Sequence, residues 1–308
     1  MQFLKRSPAA GRRHWLSIIG TLVVLPMMLN LSGCSATRLA YNNAPSLAFW
    51  WLDAYFDFDS SQALRMRNDL QALQTWHRQE ELPLVAAELA ALKARARQDT
   101  TPEQTCKLAA DAQARATAPL QRLVPTLAAL APSLSDAQML HIERELAKRA
   151  IKWREKYLDG TVEDRLDARL KSTRERTEDF YGRLSPAQIG RLRTQIQASS
   201  YDAALQYRET LRRHQDALQV LQTIRKTPLA PAAAQAALTG LFERSISSPD
   251  PAYRQYQARI LQQSCATMTE LHNSMNTEQR NKLHESLQGY ENDILALLAQ
   301  RQTGQTTP

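Results

Sequence analysis

The side chains able to do chemistry are few and scattered. Past residue 33 the chain carries His77, His141, His214, His272 and His284. Metal ligation from a helix needs two such groups three or four residues apart on one face. No two of these histidines are so spaced, and none stands in a His-Glu-x-x-His run or a Cys/His cluster. His141 with Glu143 and Glu145 fails as well, because Glu143, two residues on, points round a helix away from the others. The carboxylate pairs Glu80-Glu81 and Asp164-Asp167 stand on charged stretches where solvated ion pairs account for them. No serine sits in a nucleophile elbow, and the 9 glycines form no phosphate loop. The sequence therefore assigns no catalytic residue, no metal and no cofactor, and reads as a protein that is not an enzyme.

Three thiols remain, Cys34, Cys106 and Cys265. Cys34 ends an ordered series. Lys5, Arg6, Arg12 and Arg13 come first with no acidic residue among them, an apolar run from Trp15 to Leu31 follows, and Leu31-Ser32-Gly33-Cys34 closes it. That is the order of a secretory signal. The run is interrupted by Pro26 and falls short of the roughly 20 residues a helix needs to cross a bilayer.

Its last four residues resemble the lipobox of bacterial lipoproteins, whose cysteine is diacylated and becomes the first residue of the processed chain. The resemblance implies a signal peptide over 1–33, lipid attachment at Cys34 and, with Ser35 rather than Asp following, the outer membrane, the protein facing the periplasm. One acyl chain binds membranes marginally, so a stable anchor needs several. In such an oxidising compartment Cys106 and Cys265 either pair or persist as two buried thiols that act as small hydrophobes. A bond between them would close a loop of about 160 residues, worth roughly 5 kcal/mol in the chain-entropy picture.

The formal charge is +8. Half of it comes from the four basic residues before the apolar run, and the mild remainder argues against nucleic acid. Alanine, leucine, glutamine and arginine dominate, a helical composition. An aromatic-rich stretch over 34–57 follows the cysteine, with Tyr41, Phe49, Trp50, Trp51, Tyr55 and Phe56, and Phe58 next to it. These rings belong either to a core or to a membrane interface, and Asp53, Asp57 and Asp59 weigh toward the core.

From 58 to 301 the chain reads as a single all-α domain, an elongated bundle of about eight helices with long antiparallel hairpins, ahead of a disordered tail over 302–308. The breaks are legible. Pro83 starts or kinks a helix, Pro102 opens another, and Pro119 and Pro125 break or bend it. The stretch 136–158 is amphipathic, with Met139, Ile142, Leu146, Ala150, Trp153 and Tyr157 on one face. Asp159-Gly160 ends it. The next helix has a thin stripe of Val162, Leu166, Leu170, Thr173, Thr177 and Phe180, which suits an extended hairpin. From Pro186 the pattern runs toward Lys226, so this helix either breaks near Ser199-Ser200 or spans about 60 Å.

Four helix starts share one signature: Asp59-x-x-Gln62, Ser135-x-x-Gln138, Ser185-x-x-Gln188 and Asn276-x-x-Gln279. Each is a capping box, in which cap side chain and glutamine satisfy one another's backbone N–H. The copies resemble the Leu-Thr-x-x-Gln motif of Spy- and CpxP-like periplasmic proteins, with Ser or Asn in place of Thr, in a chain about twice as long. Taken whole, lipobox, Tyr41-Asn42-Asn43 and Trp50-Trp51 are similar to uncharacterised proteobacterial lipoproteins of about this length.

These readings lead to an outer-membrane-anchored periplasmic lipoprotein that binds or interacts without catalysis. The alternatives are a chaperone or envelope-stress sensor of Spy/CpxP type and, after it, an enzyme acting on envelope polymers. Its expected partners are the membrane, through Cys34, and an envelope protein or other acidic partner. The contact residues would be Lys148, Arg149, Lys152, Trp153, Arg154, Lys156 and Tyr157, a cationic helix with aromatic neighbours. The plainer account of that stretch is core rings beneath a solvated face. No oligomeric state follows from the sequence.

Overall fold

The computed structural model describes residues 36–227 and 229–303, which places the signal peptide, Cys34 and the chain beyond 303 outside the described residues. The described residues are all-helical, without a strand. Of the described residues, α1 (Ala36–Asn42) belongs to one unit, and those from Asn43 onward form a second, compact one. The compact unit thus begins at Asn43 and not at Phe58. The physical reason is that Phe49, on α2 (Ala44–Phe56), is buried with Met66, Leu70 and Leu130. The aromatic stretch divides: Phe49, Phe56 and Phe58 join the core, while Trp50 and Trp51 are exposed.

Helix α3 (Ser60–Trp76) passes through a π-turn (His77–Glu81) into α4 (Leu82–Arg95). The turn is the device that admits Pro83, since widening by one residue lets Leu82 donate to the His77 carbonyl and keeps the rod continuous. Helix α5 (Pro102–Arg122) bends at Leu123 into α6 (Val124–Leu130), and α7 (Asp136–Tyr157), α8 (Val162–Tyr181), α9 (Pro186–Ala198), α10 (Ala203–Lys226), α11 (Pro231–Ile246), α12 (Pro251–Asn273) and α13 (Thr277–Thr303) follow. These helices outnumber the eight expected. The stretch 186–226 is two helices, broken over Ser199–Asp202. Nor does α8 fold back on α7 as a hairpin; it packs on α9 and α13, burying Leu166 and Thr177, while Phe180 is exposed and its neighbour Tyr181 takes the inward place.

All four glutamine boxes form, and they meet in pairs. Gln138 Nε2 donates to Gln62 Oε1 at 2.6 Å and to the Asp57 carbonyl at 2.8 Å, while Gln62 Nε2 donates to the Ser133 carbonyl at 3.1 Å. Gln188 and Gln279 donate to one another at 3.0 and 2.9 Å, and reach across to the carbonyls of Ser274 and Arg183. Each Oε1 also accepts its own cap N–H. The four glutamines are 2–7% exposed, so their hydrogen bonds replace water.

The two junctions anchor two similarly built halves. In the first, α2 packs on α3 and α7; in the second, α8 packs on α9 and α13. Helices α2 and α8 both end in a left-handed residue, Asp57 at φ 48° and Gly182 at φ 74°. The Asp53 carboxylate accepts the Phe58 N–H, and Glu178 does the same for Leu184. One turn beyond the glutamines, Met66 and Leu192 are each almost fully buried, and Ile142 and Leu283 hold the matching places after the partner glutamines.

A disulfide joins Cys106 on α5 to Cys265 on α12, with Cα atoms 5.3 Å apart and 159 residues between them in sequence. It opens a polar seam between the halves. Thr105 and Thr269 hydroxyls lie 2.7 Å apart, and Asn273 bonds both backbone groups of Thr100. His272 Nε2 faces the Gln98 carbonyl at 2.7 Å, so it carries the proton, and Nδ1 accepts from the Tyr181 hydroxyl at 2.8 Å.

Two predictions follow from this architecture. Gln188→Ala strips a buried junction of its hydrogen bonds and is expected to lower unfolding stability by about 2 to 3 kcal/mol. Gln104→Ala removes the same kind of box at an exposed helix start and should lower it by no more than about 1 kcal/mol; paired denaturant melts read the difference. Burial pushes the Tyr181 hydroxyl up from 10.0 to about 12. The unfolded chain therefore loses this proton first, and stability declines as pH rises from about 10 to about 12. Tyr181→Phe should remove that part of the alkaline decline in melts across the range.

Candidate binding site

Helix α7 buries Met139, Ile142 and Ala150 and turns Lys148, Lys152, Arg154 and Lys156 outward. The seven residues singled out in the sequence do not form one surface. Lys148 is paired with Glu145 at 3.2 Å and Arg154 with Asp159 at 3.4 Å. Arg149 lies over the Tyr55 ring at 4.0 Å, its Nε buried without a hydrogen-bond partner. Lys156 sits 5.0 Å from the Tyr157 ring centre. Trp153 is half-buried between Tyr157 and Tyr207, the latter stacked at 5.9 Å.

The ring group continues to Tyr201, whose hydroxyl is raised mainly by burial and lowered in part by Arg169 beside it. The Arg169 guanidinium lies 4.2 Å over that ring and donates to the Ile196 carbonyl at 3.3 Å and Ser199 Oγ at 2.9 Å. Locally this closes the end of α9, where the last carbonyls carry the negative end of the helix dipole, and fixes the break before α10. No carboxylate faces the group among the described residues, and burial holds it below the ordinary arginine range.

Arg169 borders a cleft of about 440 Å³ walled by Leu158, Val162, Leu166 and Ile196. Val162 stands at its lip, 75% exposed. Arg165, also on the wall, donates only to the carbonyls of Leu158 and Gly160. The two acids at the cleft are already engaged: Glu163 pairs with Arg193, and Asp202 caps α10 by accepting the Leu205 N–H. Two guanidinium groups therefore stand beside apolar walls, satisfied by neutral oxygens and a ring face. Such a setting suits a carboxylate or phosphate carried on an apolar stem.

The other charged cluster is closed on itself. Glu209 is 5% exposed and accepts from Arg212, Arg213 and Ser248, while Asp216 joins Arg212 to Arg244. The arginines hold both carboxyls below their usual range despite burial.

Trp153, Tyr157 and Lys156 thus fall at the ring group, Arg149 and Lys152 lie along the side of α7 nearer α2, and Cys34 lies outside the described residues. Sequence reasoning passed over Arg169, Ser199, Tyr201 and Tyr207. Arg169 did leave a signal: Leu166, Arg169, Thr173 and Thr177 share one helical face, and an arginine in an inward register has to be satisfied by something.

No curated protein and no solved structure matches this chain. A family described as "Family of unknown function (DUF6279)" matches residues 54–254, a range that takes in α7, the ring group and the cleft, and the chain belongs to that family.

Proposed function

We propose that this protein is a lipid-anchored component of the bacterial cell envelope, held on the outer membrane by acyl chains on Cys34, that binds an acidic partner without catalysing a reaction. The observation that carries the binding part is Arg169: a half-buried cation at a cleft, facing neutral oxygens and a tyrosine ring where a carboxylate would ordinarily sit. Arg165 adds positive charge on the cleft wall, where it donates to the carbonyls of Leu158 and Gly160 with the exposed Asp164 beside it. An anionic group entering between Val162 and Tyr201 would gain charge-assisted hydrogen bonds while its stem covers Leu158, Leu166 and Ile196. The anchor rests on the Leu31-Ser32-Gly33-Cys34 series. An envelope location also suits the Cys106–Cys265 bond, since such bonds persist in oxidising compartments.

A second reading, a chaperone or stress sensor of Spy/CpxP type, is favoured by one observation: the four glutamine boxes pair two by two, so a chain twice the usual length holds two junctions of one kind. It asks for an apolar surface that shields unfolded clients.

Metabolic labelling with radioactive palmitate should mark the wild-type chain and leave Cys34→Ala unmarked; equal labelling in both refutes the anchor. A photo-crosslinking residue placed at Val162 should capture an envelope partner in intact cells, and Arg169→Gln should abolish that capture while leaving the melting temperature within a few degrees. Capture that persists in Arg169→Gln overturns the acidic-partner reading. Suppression of client aggregation by the purified protein, undiminished in Arg169→Gln, favours the chaperone reading instead.

A further inference from the structure

Helix α2 has two faces. Phe49 is buried, and Ala48, Leu52 and Phe56 pack against the core. Leu47, Trp50 and Trp51 are 47%, 65% and 56% exposed, and Ala54 is exposed with them. Their spacing of i, i+3, i+4 and i+7 lines them into one stripe. Trp51 rests edge-on against Tyr55 at 4.9 Å, which holds its indole outward. Two adjacent tryptophans are thus left exposed while Phe49 beside them is buried. The indole is the side chain that gains most at the boundary between lipid headgroups and acyl chains.

We propose that this stripe is a membrane-contact surface that lies in the interfacial zone of an anionic phospholipid bilayer. The proposal rests on the lipid anchor at Cys34 put forward above. Three observations select a bilayer over another occupant. Only 15 residues separate Cys34 from Trp50, and α1 and α2 make up nearly all of them. At 1.5 Å per helical residue that is about 20 Å of reach, so an anchored Cys34 holds the stripe within reach of the bilayer surface. Two of the three acidic residues of the stretch are engaged within the protein, and the third, the exposed Asp57, lies past the C-terminal end of α2. Asp53 projects off the stripe and is engaged by the Phe58 N–H, and Asp59 is engaged by its own capping box.

The third observation is charge. Helix α7 lies along α2, with the His141 ring 3.2 Å from the Ala54 carbonyl and Arg149 over Tyr55. It sets Arg149 over Tyr55 beside the stripe with the exposed Lys152 one turn on, and Glu145, the carboxylate also near Tyr55, is paired with Lys148. Cations flanking an aromatic stripe complement anionic headgroups. The basic residues on this side of α7 thereby acquire a role different from that of Arg169 at the cleft.

The test uses the lipoprotein purified from membranes and reconstituted into vesicles of phosphatidylethanolamine and phosphatidylglycerol. Trp76→Phe and Trp153→Phe leave Trp50 and Trp51 as the emitters of the processed chain. Lipids brominated near the carbonyl end of the acyl chain should quench this emission more than lipids brominated near the methyl end, with a blue shift relative to detergent-free soluble protein. A larger share of phosphatidylglycerol should deepen the quenching, and Lys152→Glu should reduce it. Intact mass is read on the same sample. Full acylation at Cys34 with unquenched, red-shifted emission overturns the membrane contact and leaves the anchor standing, whereas an unacylated chain sinks the anchor itself. Unquenched but blue-shifted emission that reverts on dilution means that a second copy covers the stripe, and this too overturns the proposal.

Discussion

The compact unit depends on one kind of contact, a buried carboxamide meeting its counterpart. A glutamine at the third position of a helix has an acceptor for the cap N–H and two donors left over. Buried at a junction, those donors must find acceptors, and two glutamines placed face to face supply them to one another and to the chain entering each helix. Glutamate would cap an isolated helix equally well, but two glutamates so close would repel, and neither could donate to the carbonyl opposite. Asparagine is one carbon too short to reach. The residue type is thus set by the pairing and not by the cap alone, and four helix origins are brought into two fixed points from which α3, α7, α9 and α13 diverge.

That distinction explains what was legible in the sequence. The boxes themselves were readable from Asp59, Ser135, Ser185 and Asn276 with their glutamines, because capping is local. Which box meets which was not, since Gln62 and Gln138 are brought together only by the intervening helices. Proline positions gave the start of α5 and the bend before α6, but Pro83 fixed neither a start nor a sharp kink, because a π-turn absorbs it without ending the rod. The break over Ser199–Asp202 was one of two open readings, and it is decided by Arg169, a residue thirty positions upstream that closes the last carbonyls of α9. The aromatic stretch failed to read as one thing because it is two: periodicity alone assigns Phe49 and Trp50 to different faces but does not say which face meets protein.

The site follows the same logic of local and distant parts. Trp153, Tyr157 and Lys156 could be picked out along α7, because aromatic and basic residues in one stretch draw attention whatever surrounds them. Their partners Tyr201, Tyr207 and Arg169 come from three other segments and carry no shared pattern. Counting basic residues also misleads. Lys148 and Arg154 are neutralised within their own turn or just beyond it, whereas Arg169 leans on a carbonyl, a hydroxyl and a ring. The difference between a cation on a solvated face and one held against neutral groups lies in how each is satisfied, which only packing reveals.

The bond between Cys106 and Cys265 bears on mechanics. A pull applied between the start of the compact unit and the cleft would have to pass this bond. Traction entering upstream of Cys106 meets the covalent bridge and divides, one share running forward along the backbone from 106 and the other backward from 265, so the helices around the cleft are loaded along two parallel paths instead of one. Unravelling between the two cysteines then requires both strands to yield together, whereas the chain outside the bridge carries its load along a single path.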